Sequence, residues 1–450
     1  MPSLKNVSVF TSLSLLVVSG ALALGCTTET KTDTPDGGTC TAGGVGTLKV
    51  DVTGLPAGVA AKVKVTGPSG ASELDASKTI ADAPGGSYEV SATRVAGTDP
   101  IVRAAYEPKV SEATFCVEGK ATKTVTVAYS EIASSHKLWL TNANNTTGEL
   151  QGFAAADLVA TGSPASAVAA KAPTGRAIAF DKEGNLWTIG GTVADAPIAR
   201  FAAGDLGASG DKTPDRKIAY GPSCSPGYTD LAFDPTGNLW ITSACAKEVV
   251  RLTPAQLAAT TPVSADVKVG GLDSPAGLAF DAAGNMWVAD QDKKRVLRFD
   301  AARLTASSTA AADLVIDPRA PGGGDLAPSS LAFDKDGNLW ATSFGGNVIY
   351  KLTPSELSAK GEQTVTPSVQ ITASVTALLE GIAFDEGGGL WLTYENGKVA
   401  RLAPAQLGTS SGPGAPTVPT TIVSSANIGS AVGLAFYPAP AALPLYAKLP

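Results

Sequence analysis

The chain carries few residues able to do acid-base or nucleophilic chemistry. His136 is its single histidine, which removes most ways of building a zinc site or a Ser-His or Cys-His nucleophile. No Gly-x-Ser-x-Gly, P-loop or His-Glu-x-x-His stretch occurs, so any hydrolysis would depend on carboxylates or a central metal. Asp334-Lys335-Asp336-Gly337-Asn338 has a calcium-loop look, yet it lacks the acidic ligand count of a true loop and its sister segments lack the second aspartate. No resident cofactor is expected.

These residues are mounted on a repeat. IAFDKEGNLW (178 to 187), LAFDPTGNLW (231 to 240), LAFDAAGNMW (278 to 287), LAFDKDGNLW (331 to 340) and IAFDEGGGLW (382 to 391) recur along the second part of the chain. Their aspartates, Asp181, Asp234, Asp281, Asp334 and Asp385, are 53, 47, 53 and 51 residues apart, which is a propeller-blade period. A strand ending in a basic and then an apolar residue follows each: IARF, VVRL, VLRF, IYKL and VARL. Five residues further on stand Leu206, Leu257, Leu304, Leu357 and Leu407.

The ends of the region give the count. LWLTN (138 to 142) with LQGF (150 to 153) is the second half of a unit, and GLAF (433 to 436) is the first half. Together they make a sixth blade, closed by pairing the last strand with the first and leaving no open sheet edge. The six tryptophans, one per blade, read as packing, and the Asp-x-x-Gly-Asn segments as tight turns in which glycine supplies positive φ and Asp and Asn bond their own backbone. A rival count of seven would use LPLY (443 to 446).

This pattern resembles the NHL-repeat propellers and their relatives, the gluconolactonase-like calcium lactonases and the virginiamycin B lyase-like proteins. The resemblance covers 137 to about 440 and implies a fold more than an activity, since one propeller carries many functions. Recognition is expected on the face opposite the Asp turns. There the loops entering the inner strands carry Arg176, Thr229, Asp230, Asp273, Ser329 and Glu380, and the loops leaving the second strands carry Asn142, Asn144, Asn145, Asp290 to Lys294, Tyr394 and Glu395. The binding set is Arg176, Asp230, Asp290, Glu380, Tyr394 and Asn142. The lyase-like relatives imply a catalytic histidine, whereas His136 stands at the domain entrance. The lactonase-like relatives imply acidic and asparagine ligands on one central calcium ion, for which Glu380, Asp230, Asp290 and Asn142 could be recruited. A binding or scaffolding role toward a protein, peptide or glycan is favoured over a metal-dependent lactonase or lyase.

The rest of the chain reads as address and spacer. Lys5 and the apolar run 7 to 24 form a secretory signal, although a run of that length also admits an uncleaved anchor. Ala23-Leu24-Gly25-Cys26 resembles the bacterial lipobox, which implies lipidation of Cys26 and a place in the cell envelope, periplasmic or surface-exposed. Thr27 in place of Asp favours the outer membrane. Residues 26–46 lack large apolar side chains and read as a flexible tether. Over 47–135, TLKVDVTGL, AKVKVTGPSG, SYEVSATRV and KTVTVAYS alternate with period two and give a small β-sandwich, similar to immunoglobulin-like modules. The whole is an all-β chain, a sandwich followed by a six-bladed propeller over 136–450. Acids exceed bases 41 to 34, so there is no footprint for nucleic acid; the membrane is met only through the lipid, and a monomer is expected. With Cys26 lipidated, four cysteines remain in an oxidising compartment. Cys224 and Cys245 are expected to pair across two loops of one blade face, leaving Cys40 for Cys116.

Overall fold

A computed structural model describes residues 40, 43–97, 105–131, 138–142, 149–172, 175–181, 183–189, 198–218, 228–259, 263–375, 378–385, 387–394, 398–424 and 431–437. Its first unit is a sandwich of a five-stranded and a four-stranded sheet. The period-two pattern acts as expected: in Val63–Gly67, Val63 and Val65 are buried and Lys64 and Thr66 face water. Val63, Val65 and Val90 from one sheet meet Leu48, Val50, Val125 and Val127 from the other. The first strand, Val45–Thr53, begins inside the segment read as tether and pairs in parallel with Thr122–Glu131. Cys40 is disulfide-bonded to Cys116, their Cα atoms 5.6 Å apart, as the sequence led us to expect.

The second unit is a six-bladed propeller. Blades 2 to 6 each run inner strand, second, third and outer: blade 3, for example, is Tyr228–Phe233, Leu239–Ser243, Glu248–Leu252 and Val267–Val269. Blade 1 takes its inner strand, Ala431–Phe436, from the far end of the chain and pairs it antiparallel with Leu138–Asn142, Leu138 opposite Phe436. Six blades are thus present; LPLY (443 to 446) lies outside the described residues.

The repeated residues hold the ring through one interlocking set of contacts. Each tryptophan packs on the phenylalanine of the next blade: Trp187 on Phe233, Trp240 on Phe280, Trp287 on Phe333, Trp340 on Phe384, Trp391 on Phe436 and Trp139 on Phe180, with centroids 5.9 to 6.3 Å apart. The turn aspartates do more than shape a hairpin. In blade 3, Asp234 Oδ1 accepts the Thr236 and Asn238 N–H groups, while Oδ2 accepts the Trp240 Nε1–H at 2.9 Å. The same indole bond recurs at Asp181, Asp281, Asp334 and Asp385. Burial alone would raise the Asp234 carboxyl, but the donors from Trp240, Asn238 and Thr236 outweigh it and hold it below the usual range.

In blades 2 to 5 the basic residue of the third strand lies over the same indole: Arg200, Arg251, Arg298 and Lys351 stand 5.6 to 5.8 Å from the rings of Trp187, Trp240, Trp287 and Trp340. Two of these arginines also reach the following blade, Arg251 donating to the Leu304 carbonyl and Arg298 to that of Leu357. The leucine five residues beyond each basic strand is itself buried, as Leu257 is in the core shared by blades 2 and 3. Its segment laces onto the outer edge of the preceding blade, where Gly361–Val365 adds in parallel to Leu314–Pro318 and Gly162 bridges to Val423. Lacing of this kind covers outer strands that would otherwise offer open edges.

Sandwich and propeller touch through Tyr437, which stands where the other blades carry the turn aspartate. Its ring stacks on Phe180 at 4.8 Å, and its hydroxyl is hydrogen-bonded to Arg94, itself paired with Glu107 of the sandwich. The sandwich therefore meets the propeller on the side of the Asp turns.

One core group is poorly served. Tyr350, fully buried between blades 4 and 5, has no hydrogen-bond partner for its hydroxyl among the described residues. Tyr350→Phe is expected to raise stability by about 1 kcal/mol, because an unmet buried hydroxyl costs about that much or more. A denaturation midpoint lower than wild type would show that the hydroxyl is in fact bonded.

Candidate functional site

The inner strands surround a central cavity of about 420 Å³. Its shape follows from one position of the repeat: the residue before each phenylalanine is alanine, namely Ala179, Ala232, Ala279, Ala332, Ala383 and Ala435, and all six line the space. A methyl group is what keeps the axis open. Leu231, Leu278, Leu331 and Ile382 add apolar wall. Among the lining residues only Arg176, Asp230 and Glu380 are charged.

Most inner strands carry a bulge just above that wall, as between Tyr228 and Leu231 or Pro328 and Leu331. A threonine of the second strand fills it. Thr242 Oγ1 accepts the Asp230 N–H at 2.8 Å, and Thr342, Thr393 and Thr141 accept those of Ser330, Gly381 and Gly433. At the Asp230 register blades 4, 6 and 1 have Gly277, Gly381 and Gly433. A Cβ on Gly277 would lie 2.3 Å from the Ser329 carbonyl oxygen of the next blade. Where its counterparts are too close to the next blade for a side chain, Asp230 uses the gap: Oδ1 accepts its neighbour's Leu231 N–H and Oδ2 accepts Leu278 N–H of blade 4, each at 2.8 Å.

Asp230 is half-buried, and the surface it keeps faces the cavity rather than bulk water. Withdrawal from solvent pushes its carboxyl up to about 7, against the two N–H groups, which favour the ionised form. The folded value exceeds the ~3.9 of an unfolded aspartate, so this group contributes most to stability below about pH 4 and loses that contribution as pH rises toward 7. Wild type should therefore lose stability relative to Asp230→Ala between those limits. A difference that stays flat across the titration would contradict the shift.

At the mouth, Arg176 of blade 2 donates to Glu380 Oε2 of blade 6 at 3.3 Å, spanning the closing blade between them. Thr229 and Ser329 line the same space. Asp273 does not: it pairs with Lys247 at 2.7 Å on the outer loops. Asp290 requires a correction as a binding residue. It is fully buried, Oδ1 accepting the Asp273 and Ser274 N–H groups and Oδ2 held by Arg295, so it fastens a loop and presents nothing to a ligand. Tyr394 is likewise buried, its phenol raised by desolvation, and it pairs across the strand with Leu379. Asn142 lies in the strand pairing with Ala431, and its side chain is outside the described set, as are Asn144, Asn145, Glu395, His136, Cys26 and Cys224. Cys245 is disulfide-bonded; its expected partner, Cys224, is one of those undescribed residues. Of the loop run Asp290 to Lys294, Gln291 lines the cavity; sequence reasoning missed Ser330 and the half-exposed Phe344, which line it too. Ser330 shares the register of Asp230, and Phe344 directly follows a second strand; these positions were the available signals.

The residues do not fit a metal centre of the kind the lactonase resemblance implies. Asp230 faces two N–H donors, Glu380 has a guanidinium beside it, and Asp290 is sealed by Arg295. No group of three His, Cys, Asp or Glu side chains converges among the described residues.

Comparison with solved structures returns distant likenesses. A streptogramin B lyase is 16% identical over 51% of this chain at a TM-score of 0.34, and the chain spans 65% of that lyase's length. The virginiamycin B lyase of Staphylococcus aureus is 16% identical, with 60% of this chain and 71% of that one covered and a TM-score of 0.34. A functionally unknown protein from Desulfotomaculum acetoxidans DSM 771 is 10% identical, with 77% and 96% covered and a TM-score of 0.43. No curated protein matches the chain. The repeat itself is decisive: residues 133–377, more than half of the sequence, match the SMP-30/Gluconolactonase/LRE-like region, and the chain belongs to that family.

Proposed function

We propose that the protein is a lipid-anchored extracytoplasmic binding protein that presents the mouth of its propeller cavity to a protein, peptide or glycan. One observation carries the choice of binding over metal-assisted hydrolysis: each charged group lining the cavity already has a partner within the protein, Asp230 in two backbone N–H groups and Arg176 and Glu380 in each other. Such a site recognises shape and charge, and among the described residues it offers no ligand set for a metal. The apolar run before Cys26 supports export, and the Cys40 to Cys116 bridge fits an oxidising compartment. The immunoglobulin-like sandwich then acts as a spacer. Its contact with the propeller on the Asp-turn side supports an arrangement in which the cavity mouth points away from the anchor.

Two measurements test this reading. The native protein should partition into the detergent phase, and Cys26→Ala should remain aqueous or uncleaved; native protein in the aqueous phase would refute the anchor. Stoichiometric calcium in the purified protein, or lactone hydrolysis abolished by chelation, would overturn the non-catalytic reading in favour of the metal-dependent alternative.

A further inference from the structure

The cavity has a chemistry of its own. Its wall is alanine, leucine, isoleucine and phenylalanine, and its charged lining comprises two carboxylates and one guanidinium. The guanidinium of Arg176 stands beside Glu380 at the mouth, which leaves Asp230 as the unneutralised acidic group of the wall. Each Asp230 oxygen accepts a single backbone N–H, so the carboxylate is held in one orientation with lone pairs to spare. The bonds to the carboxylate come from the Leu231 N–H of blade 3 and the Leu278 N–H of blade 4, and the other charged lining residues, Arg176 and Glu380, come from blades 2 and 6.

We propose that the cavity takes a primary ammonium carried on an unbranched apolar stem, the stem against the alanine and leucine rings and the ammonium on Asp230. The proposal rests on the reading of this cavity as a binding site and specifies what enters it. Two sources present this group, a lysine side chain of a peptide and a free alkylamine. An anionic or purely apolar ligand is disfavoured, the first by the net charge of the lining and the second by the desolvated carboxylate it would leave unpaired. An arriving cation supplies the counter-charge that the site lacks, and pairing should favour the ionised carboxylate, so binding should strengthen from pH 6 to pH 8.

Calorimetric titration of the full chain with n-hexylamine, n-hexanol, acetyl-Gly-Lys-Gly-amide and acetyl-Gly-Gln-Gly-amide tests it. Hexylamine should bind about tenfold or more tighter than hexanol, as expected when a charged hydrogen bond is gained. Asp230→Asn should erase that preference, while Asp336→Asn, at an exposed Asp turn outside the cavity, should preserve it. A lysine peptide that binds when hexylamine does not would assign the source to a peptide, and the reverse would assign it to a free amine. Hexanol binding as tightly as hexylamine would overturn the ammonium proposal while leaving the cavity reading intact. Failure of all four probes to bind would remove the proposal together with the cavity reading. Because hexanol serves as control on the unaltered protein, the test survives a failure of Asp230→Asn to fold.

Discussion

Replacing Trp240 by alanine is expected to destabilise the propeller by about 3–5 kcal/mol, the cost of emptying a large, well-packed aromatic site. Trp240 has no exposed surface, packs at a tilt against Phe280 of the next blade at 5.9 Å and lies beneath the Arg251 guanidinium. Its removal also strips Asp234 Oδ2 of the indole donor, leaving a partly buried carboxylate short of one bond. All six tryptophans belong to the propeller, so fluorescence-detected denaturation follows that unit and not the sandwich. A loss below about 1 kcal/mol would mean that the blades pack without this contact.

The second large effect is expected in blade 6, where the repeat departs from its own rule. The other complete blades place asparagine before Leu or Met and Trp, but blade 6 has Gly389. The structure gives the reason: a Cβ there would lie 2.3 Å from Arg401 Nη2, because the guanidinium enters the space and donates to the fully buried Asp385 at 2.5 Å. Arg401→Ala should cost about 3–5 kcal/mol, since breaking a buried pair leaves an uncompensated charge. Gly389→Asn alone should also destabilise, by overpacking against Arg401. Together the two changes should recover part of the loss, because the asparagine amide can take the place that Asn238 holds beside Asp234. A double-mutant cycle with no coupling between positions 389 and 401 would refute this exchange.

The residues that repeat were legible because their spacing is local and their chemistry is shared by every copy. Asp-x-x-Gly-Asn-Leu-Trp announces a hairpin whatever surrounds it, and two complementary half-units at the ends announce closure. The purpose of the aspartate was harder to see: a turn explains its bonds to the backbone, but its bond to the tryptophan depends on how the hairpin twists. Contacts between blades were out of reach altogether. That Arg251 meets the Leu304 carbonyl is fixed by the placement of two sheets and by nothing in either segment. The site suffered most. Asp230 and Asp290 look alike in sequence, each beside the end of a core strand, yet one borders the cavity and the other is drawn under a loop by Arg295. Side-chain direction at a bulge decided between them.

Closure of the ring also orders events during synthesis. Thr141 and Gly433, which bond to each other in blade 1, are 292 residues apart. Leu138–Asn142 leaves the ribosome early and waits with its inner edge unpaired while five blades are made behind it. Until Ala431–Phe436 arrives, the nascent chain is an open arc with Phe180 on one flank and Trp391 on the other lacking their neighbours from the seam. Exposed edges and aromatic surface of that sort invite wrong partners. A chain translated only as far as blade 6 should be a client for holdase chaperones, and release of those chaperones should coincide with emergence of the closing strand.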